Sequence, residues 1–178
     1  MREFTTPESI IANIPYAFMI LIGTIIIAYT YGLTKLALTV VIGYLIYGII
    51  GILWIIIFVC PFCAFYATKG CPCGYGMISM KIVKKGGGNC FPEKFKRHIP
   101  VIVPLWLIPA VCGGIALWSS FSWWLFSLVS CFVVESWIIL PIVSKKHCCV
   151  DCPQKDECPW MKKNTQEKLE GDRHNYVF

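Results

Sequence analysis

Four stretches of this chain run for about twenty residues with no lysine or arginine except at an end, and that pattern constrains the fold more than any other feature. They span 15–31, 35–59, 99–117 and 121–143. At about 1.5 Å per residue each is long enough to cross a hydrocarbon core. Backbone N–H and C=O groups in lipid must be satisfied within the segment, so helices are expected and strands are not. Composition agrees: 57% of the 178 residues are hydrophobic, 15% are charged, and mean hydropathy is +0.65. A soluble domain of this size needs roughly a quarter of its residues charged. Soluble globular, disordered and collagen-like classes are excluded, and the expected fold is an all-α integral membrane protein with four transmembrane helices.

Charge distribution orients the spans. Arg2, the seven cations between Lys69 and Arg97, and the seven between Lys145 and Arg173 fall on one side; of the sixteen, only Lys35 falls on the other. The positive-inside rule puts both termini and the middle loop in the cytoplasm of a multi-pass cell-membrane protein. Tyr29, Tyr31, Trp118, Trp123 and Trp124 sit where an outer aromatic belt belongs. The net charge of +6 is therefore read as topology and as contact with anionic headgroups, not as nucleic-acid binding, since no aromatic-basic groove motif accompanies it.

The expected organisation is a cytoplasmic N-terminus with a short interfacial helix (1–14), a first hairpin (15–59), a cysteine-rich loop (60–98), a second hairpin (99–143) and a cysteine-rich tail (144–178). Thr6-Pro7-Glu8 reads as a helix start. Arg2 and Glu3, with no small-residue cleavage site after the first span, do not fit a cleavable signal peptide. Met77–Lys85 alternates apolar residues with lysines, as in an amphipathic helix on the inner leaflet. Gly43, Gly48, Gly51, Ala110 and Gly114 offer small faces for helix packing. Pro100, Pro104 and Pro109 make the third span irregular, through kinks that neighbours accommodate or through a distorted helix lining a cavity.

Eleven cysteines are too many to be filler. Cys112 and Cys131 lie inside spans and read as small apolar residues. The other nine all map to the cytoplasmic side, where thiols stay reduced and a disulfide framework is disfavoured. They form two clusters, one at each juxtamembrane exit. Cys60, Cys63, Cys71 and Cys73 follow the second span; Cys148, Cys149, Cys152 and Cys158 follow the fourth, and Cys90 or His147 is a further candidate ligand. Reduced cysteines so clustered are metal ligands or redox thiols. Tetrahedral thiolate sets suit iron–sulfur clusters and zinc alike. The tight Cys71-Pro-Cys73 spacing departs from paired zinc knuckles, and a proline follows Cys60, Cys71, Cys152 and Cys158. The order of preference is one or two iron–sulfur clusters, then zinc, then thiol–disulfide chemistry.

Glu135 is the one acid inside a span, a position that marks function by default. It is read as a site for a proton or for the polar ring of a quinone-like carrier, or alternatively as a residue pairing with Lys or His at the inner interface. The leading functional expectation is an electron relay between a cytoplasmic or membrane redox partner protein and the bilayer. The alternatives are a zinc-stabilised anchor or assembly subunit, and a membrane thiol oxidoreductase or metal-handling protein.

Overall fold

The computed structural model describes residues 3–32, 34–149, 152–156, 158 and 161, apart from the side chains of Asn89, His147 and Cys148. Among these residues the chain is helical and contains no strand. Four helical stretches are long and apolar enough to cross a membrane: Thr6–Tyr31, Lys35–Phe62, Phe91–Ser119 and Trp123–Lys146. The protein is multi-pass by that measure.

Helix α1 (Thr6–Tyr31) begins one residue earlier than its sequence signature suggests. Thr5 is the N-cap, and its amide and hydroxyl both donate to the Glu8 carboxylate, at 2.8 and 3.0 Å. The helix then passes through Pro15 without a break, so the expected interfacial helix and the first span are one element. Helix α2 (Lys35–Phe58) is capped by Thr34, whose hydroxyl accepts from the Ala37 amide at 3.1 Å. A short helix α3 (Tyr75–Ile82) occupies most of the segment expected to be amphipathic. Helix α4 (Phe91–His98) continues through a 3-10 turn at Ile99–Ile102 into α5 (Val103–Ser119). The fourth span comprises α6 (Trp123–Val134), a π-helical turn at Glu135–Ile139, and α7 (Leu140–Val143) with a second π turn at Ser144–Cys148. Pro141 cannot donate to the carbonyl four residues back, and the wider turn before it absorbs that loss.

The bundle is built around α1, which packs against α2, α5 and α6. Its Met19, Ile22, Ile26 and Ile27 are buried with Tyr44, Leu105, Leu125 and Phe132. Burial of apolar groups gives little drive in lipid, so close approach and interhelical hydrogen bonds must hold the helices together. Gly23 lies where a Cβ would come within 2.5 Å of the Tyr44 hydroxyl and 2.9 Å of Pro109. A Cβ at Gly113 would meet Val129 at 2.5 Å, and one at Gly48 would meet Ile20 at 2.7 Å. Gly43 and Gly114 face open space, so the contact in the third span is made by Gly113 and not by the expected Gly114.

Pro109 also leaves the Leu105 carbonyl without its helical donor. The buried Tyr44 hydroxyl donates to that carbonyl at 3.0 Å, and the Tyr47 hydroxyl donates to the Val101 carbonyl. The carbonyl that Pro109 leaves unmet is thus satisfied by a tyrosine of the second span. Tyr44→Phe should cost about 1–3 kcal/mol, the range for orphaning a buried acceptor. Pro109→Ala restores the missing amide, so Tyr44→Phe should cost less in that background. Unfolding titrations of the four proteins in mixed micelles check this, and strict additivity would refute the coupling.

Candidate thiol centre

The first cluster grows directly from the end of α2. Cys60-Pro61-Phe62 forms a 3-10 turn in which the Cys63 amide donates to the Cys60 carbonyl at 3.1 Å. The same closure recurs at Cys71, from the Gly74 amide (3.0 Å), and at Cys152, from the Lys155 amide (3.1 Å). In each case proline is the next residue, where its preset φ suits the second position of a turn. The proline that follows these cysteines is therefore a turn former. Cys63, Cys149 and Cys158 also open such turns, closed by the amides of Tyr66, Cys152 and Met161.

Between Cys63 and α3 the chain folds back tightly on itself. Ala67 has φ +59°, its amide donates to the Gly76 carbonyl at 3.2 Å, and Gly74 has φ +75°. A Cβ on Gly76 would lie 2.2 Å from the Phe65 carbonyl oxygen, so no other residue fits there without movement of the backbone. The Phe4 amide ties the N-terminal segment to this loop through the Lys69 carbonyl, at 2.9 Å.

Gln154 joins the tail to this loop. Its Oε1 accepts from the Ala64 amide at 2.7 Å, and its Nε2 donates to the carbonyls of Gly88 (3.3 Å) and Phe62 (3.5 Å). Beside it, the buried Cys158 packs with Val59 and Phe91 in a small apolar core. Segments some ninety residues apart thereby meet, and five thiols become electrostatic neighbours. Cys60 feels Cys71 and Cys63; Cys63 feels Cys152, Cys71 and Cys158; Cys152 feels Cys158 and Cys71.

Burial, reinforced by these neighbouring thiols, pushes the Cys63 pKa up to about 12. The same causes raise Cys152. Two backbone amides oppose the shift: Phe65 donates to the Cys63 sulfur and Gln154 to the Cys152 sulfur. Each donor lies two residues after its cysteine, so the local turns already present N–H groups to a developing thiolate. Burial and mutual repulsion penalise several thiolates together, and a bound cation reverses that penalty. The donor set thus fits a thiophilic metal chemically. Among the described residues no three Cys, His, Asp or Glu are already disposed to hold a metal ion.

The remaining candidates are placed differently. Cys73 lies across Pro72 from Cys71, beside Tyr75, whose pKa is raised by burial and by that thiol. Asn13 of α1 accepts from the Tyr75 hydroxyl at 2.5 Å and donates to the Cys73 carbonyl at 3.1 Å. Cys149 is half-buried, while Cys90 is exposed. The side chains of Cys148 and His147 lie outside the described residues. Glu135 is buried in its π turn, about 18 Å along the helix from Trp123 and about 16 Å from Lys146, and is therefore near mid-span. Neither an ion pair nor a hydrogen bond to its carboxylate is formed among the described residues, so the expected pairing with an interfacial Lys or His is not seen there. Sequence reasoning passed over Gln154, Asn13, Tyr75 and Gly76, because a single glutamine, asparagine, tyrosine or glycine carries no spacing signal.

No protein family, curated protein or solved structure matches this chain.

Reduced, metal-free protein should show Cys63 nearly inert to alkylation at pH 8. With its pKa near 12, its thiolate fraction there is about a thousandfold below that of an ordinary thiol of pKa ~8.5. The folded-state pKa lies above the unfolded one, so this group favours folding below pH ~9. That contribution is lost as the pH rises from about 9 towards 12. Mass-spectrometric alkylation rates and a pH series of thermal unfolding test both statements, and rapid labelling of Cys63 at pH 8 would contradict them.

Proposed function

We propose that this chain is a membrane protein with both termini and the cysteine-rich loop and tail in the cytoplasm, whose thiols hold an iron–sulfur centre that relays electrons between a cytoplasmic donor and the bilayer. What supports the reading is that Cys60, Cys63, Cys71, Cys152 and Cys158, on two segments joined by Gln154, are electrostatic neighbours, with amide donors toward two of the sulfurs. When bound, such a cluster supplies one-electron chemistry at a potential tuned by hydrogen bonds to sulfur and by solvent exposure. The Phe65 and Gln154 amides are the groups of this chain that do the tuning. Lysines of the loop and of α4 attract an acidic partner and anionic headgroups. Glu135, buried at mid-span, exchanges the proton that accompanies transfer into the membrane.

A second reading is a zinc-stabilised anchor or assembly subunit. What favours it is Cys158, whose burial against Val59 and Phe91 makes the site a structural joint between tail and bundle.

Anaerobic purification followed by iron, zinc and acid-labile sulfide analysis with EPR separates the two. The relay requires iron and sulfide in comparable amounts and a reducible EPR signal. Cys63→Ser and Cys152→Ser should abolish that signal, whereas Cys112→Ser should leave it unchanged. Stoichiometric zinc without sulfide would overturn the relay. Because ligation displaces protons from thiols of raised pKa, metal loading should weaken steeply as pH falls, an effect a competition titration with a chelator measures.

A further inference from the structure

All four spans and the Cys71-Pro72-Cys73 loop converge on a cavity of about 180 Å³ at the cysteine-bearing end of the bundle. Its walls come from α1 (Ala12, Tyr16), α2 (Gly51, Ile55), the start of the third span and the end of the fourth. Cys73 and Tyr75 line it too. An apolar cavity of about 150 Å³ in a soluble protein holds one benzene molecule, so this one has room for a single six-membered ring. Its lining is mainly aliphatic, with polar groups at a few points. Most of those are committed: the Tyr16 hydroxyl to the Gly48 carbonyl, the Tyr75 hydroxyl to Asn13, and the Asn13 amide to the Ser9 and Cys73 carbonyls. Ser144 also lines the cavity, and its hydroxyl has no hydrogen-bond partner among the described residues. A ligand here therefore needs an apolar ring-sized body, solubility in the bilayer, and an oxygen that accepts one hydrogen bond.

We propose that this cavity binds the ring of a membrane-soluble quinone, with one ring carbonyl accepting from Ser144 and the ring edge against Cys73 and Tyr75. A saturated acyl chain has no acceptor to offer Ser144, whereas a phospholipid ester carbonyl has one, so lipid is the competing source of the same chemistry. The site lies nearer the thiols than Glu135 does: Cys73 is two residues, at most about 7 Å of backbone, from Cys71. Use of the bound ring as an electron acceptor rests on the relay reading; binding of the ring does not.

The test is saturable photolabelling of the full-length protein, in nanodiscs free of quinone, with an azido-ubiquinone analogue mapped by peptide mass spectrometry. Label is expected on peptides containing Tyr16, Gly51–Ile55 or Leu140–Ser144. Ubiquinone-2 should displace it, and excess phosphatidylglycerol should not. Ser144→Ala removes the donor and keeps the shape, and should weaken ubiquinone-2 competition about threefold to tenfold. A Cβ at Gly51 meets Ile102 and Leu105 at 3.5 Å, ordinary contact, so Gly51→Ala is tolerated and Gly51→Val pushes into the cavity and should weaken binding by at least about tenfold. Labelling that does not saturate, that phosphatidylglycerol displaces equally, or that ignores both substitutions in folded protein overturns the proposal. The same labelling is run on a Cys63→Ser, Cys152→Ser protein. Persistence there, together with zinc or no metal in the native protein, removes the relay and leaves the quinone site standing; iron and sulfide without saturable labelling removes the quinone site and leaves the thiol centre.

Discussion

Hydrocarbon offers no hydrogen bonds to the backbone, and the architecture follows from how this chain meets that demand. Regular helix meets it nearly everywhere. Where Pro109 breaks the ladder in the third span, the Leu105 carbonyl is met by the hydroxyl of Tyr44, and that bond, with the one from Tyr47 to the Val101 carbonyl, ties the second span to the third. Gly23 makes the arrangement possible, since any side chain there would collide with the same hydroxyl and with Pro109. Pro141 in the fourth span is handled differently, by a π turn that widens the helix and carries the buried Glu135. Both devices are local repairs that became points of contact between helices.

Outside the spans the demand relaxes, and tight turns replace helix. Six cysteines each open a turn closed three residues later, so the backbone that carries the sulfurs is itself hydrogen-bonded and short of slack. Gln154 then does between segments what Tyr44 does between helices, satisfying an amide and two carbonyls that lie 66 to 92 residues away in the chain. The resulting neighbourhood is dense in thiols, two of them buried and three half-buried. Neutral thiols are comfortable there and several isolated thiolates are not.

Much of this was legible in residue order. Uninterrupted apolar blocks gave the number of spans but not all their starts, since the first and third helical stretches begin at Thr6 and Phe91, well before the apolar blocks at 15 and 99. Thr6-Pro7-Glu8 marked the first helix start to within one residue, and the Met77–Lys85 pattern marked α3. Small-residue packing was legible as a tendency but not by position: Gly113, not Gly114, meets its neighbour, because a rotation of about 100° per residue decides which glycine faces inward. The cysteine clusters were visible as clusters, yet nothing in their spacing separates Cys71, which sits among the other thiols, from Cys73, which turns toward Tyr75 and the cavity.

Sequence alone therefore determined the solvent this protein lives in, the number of its spans and the two places where thiols gather, since each is set by composition over a contiguous window. Only the tertiary structure decided which thiols become neighbours, which tyrosine repairs which proline, and that the four spans leave a ring-sized space beneath Cys73. Those outcomes depend on the packing rotation of each helix and on single side chains such as Gln154 reaching across the fold. Neither is encoded in any local pattern.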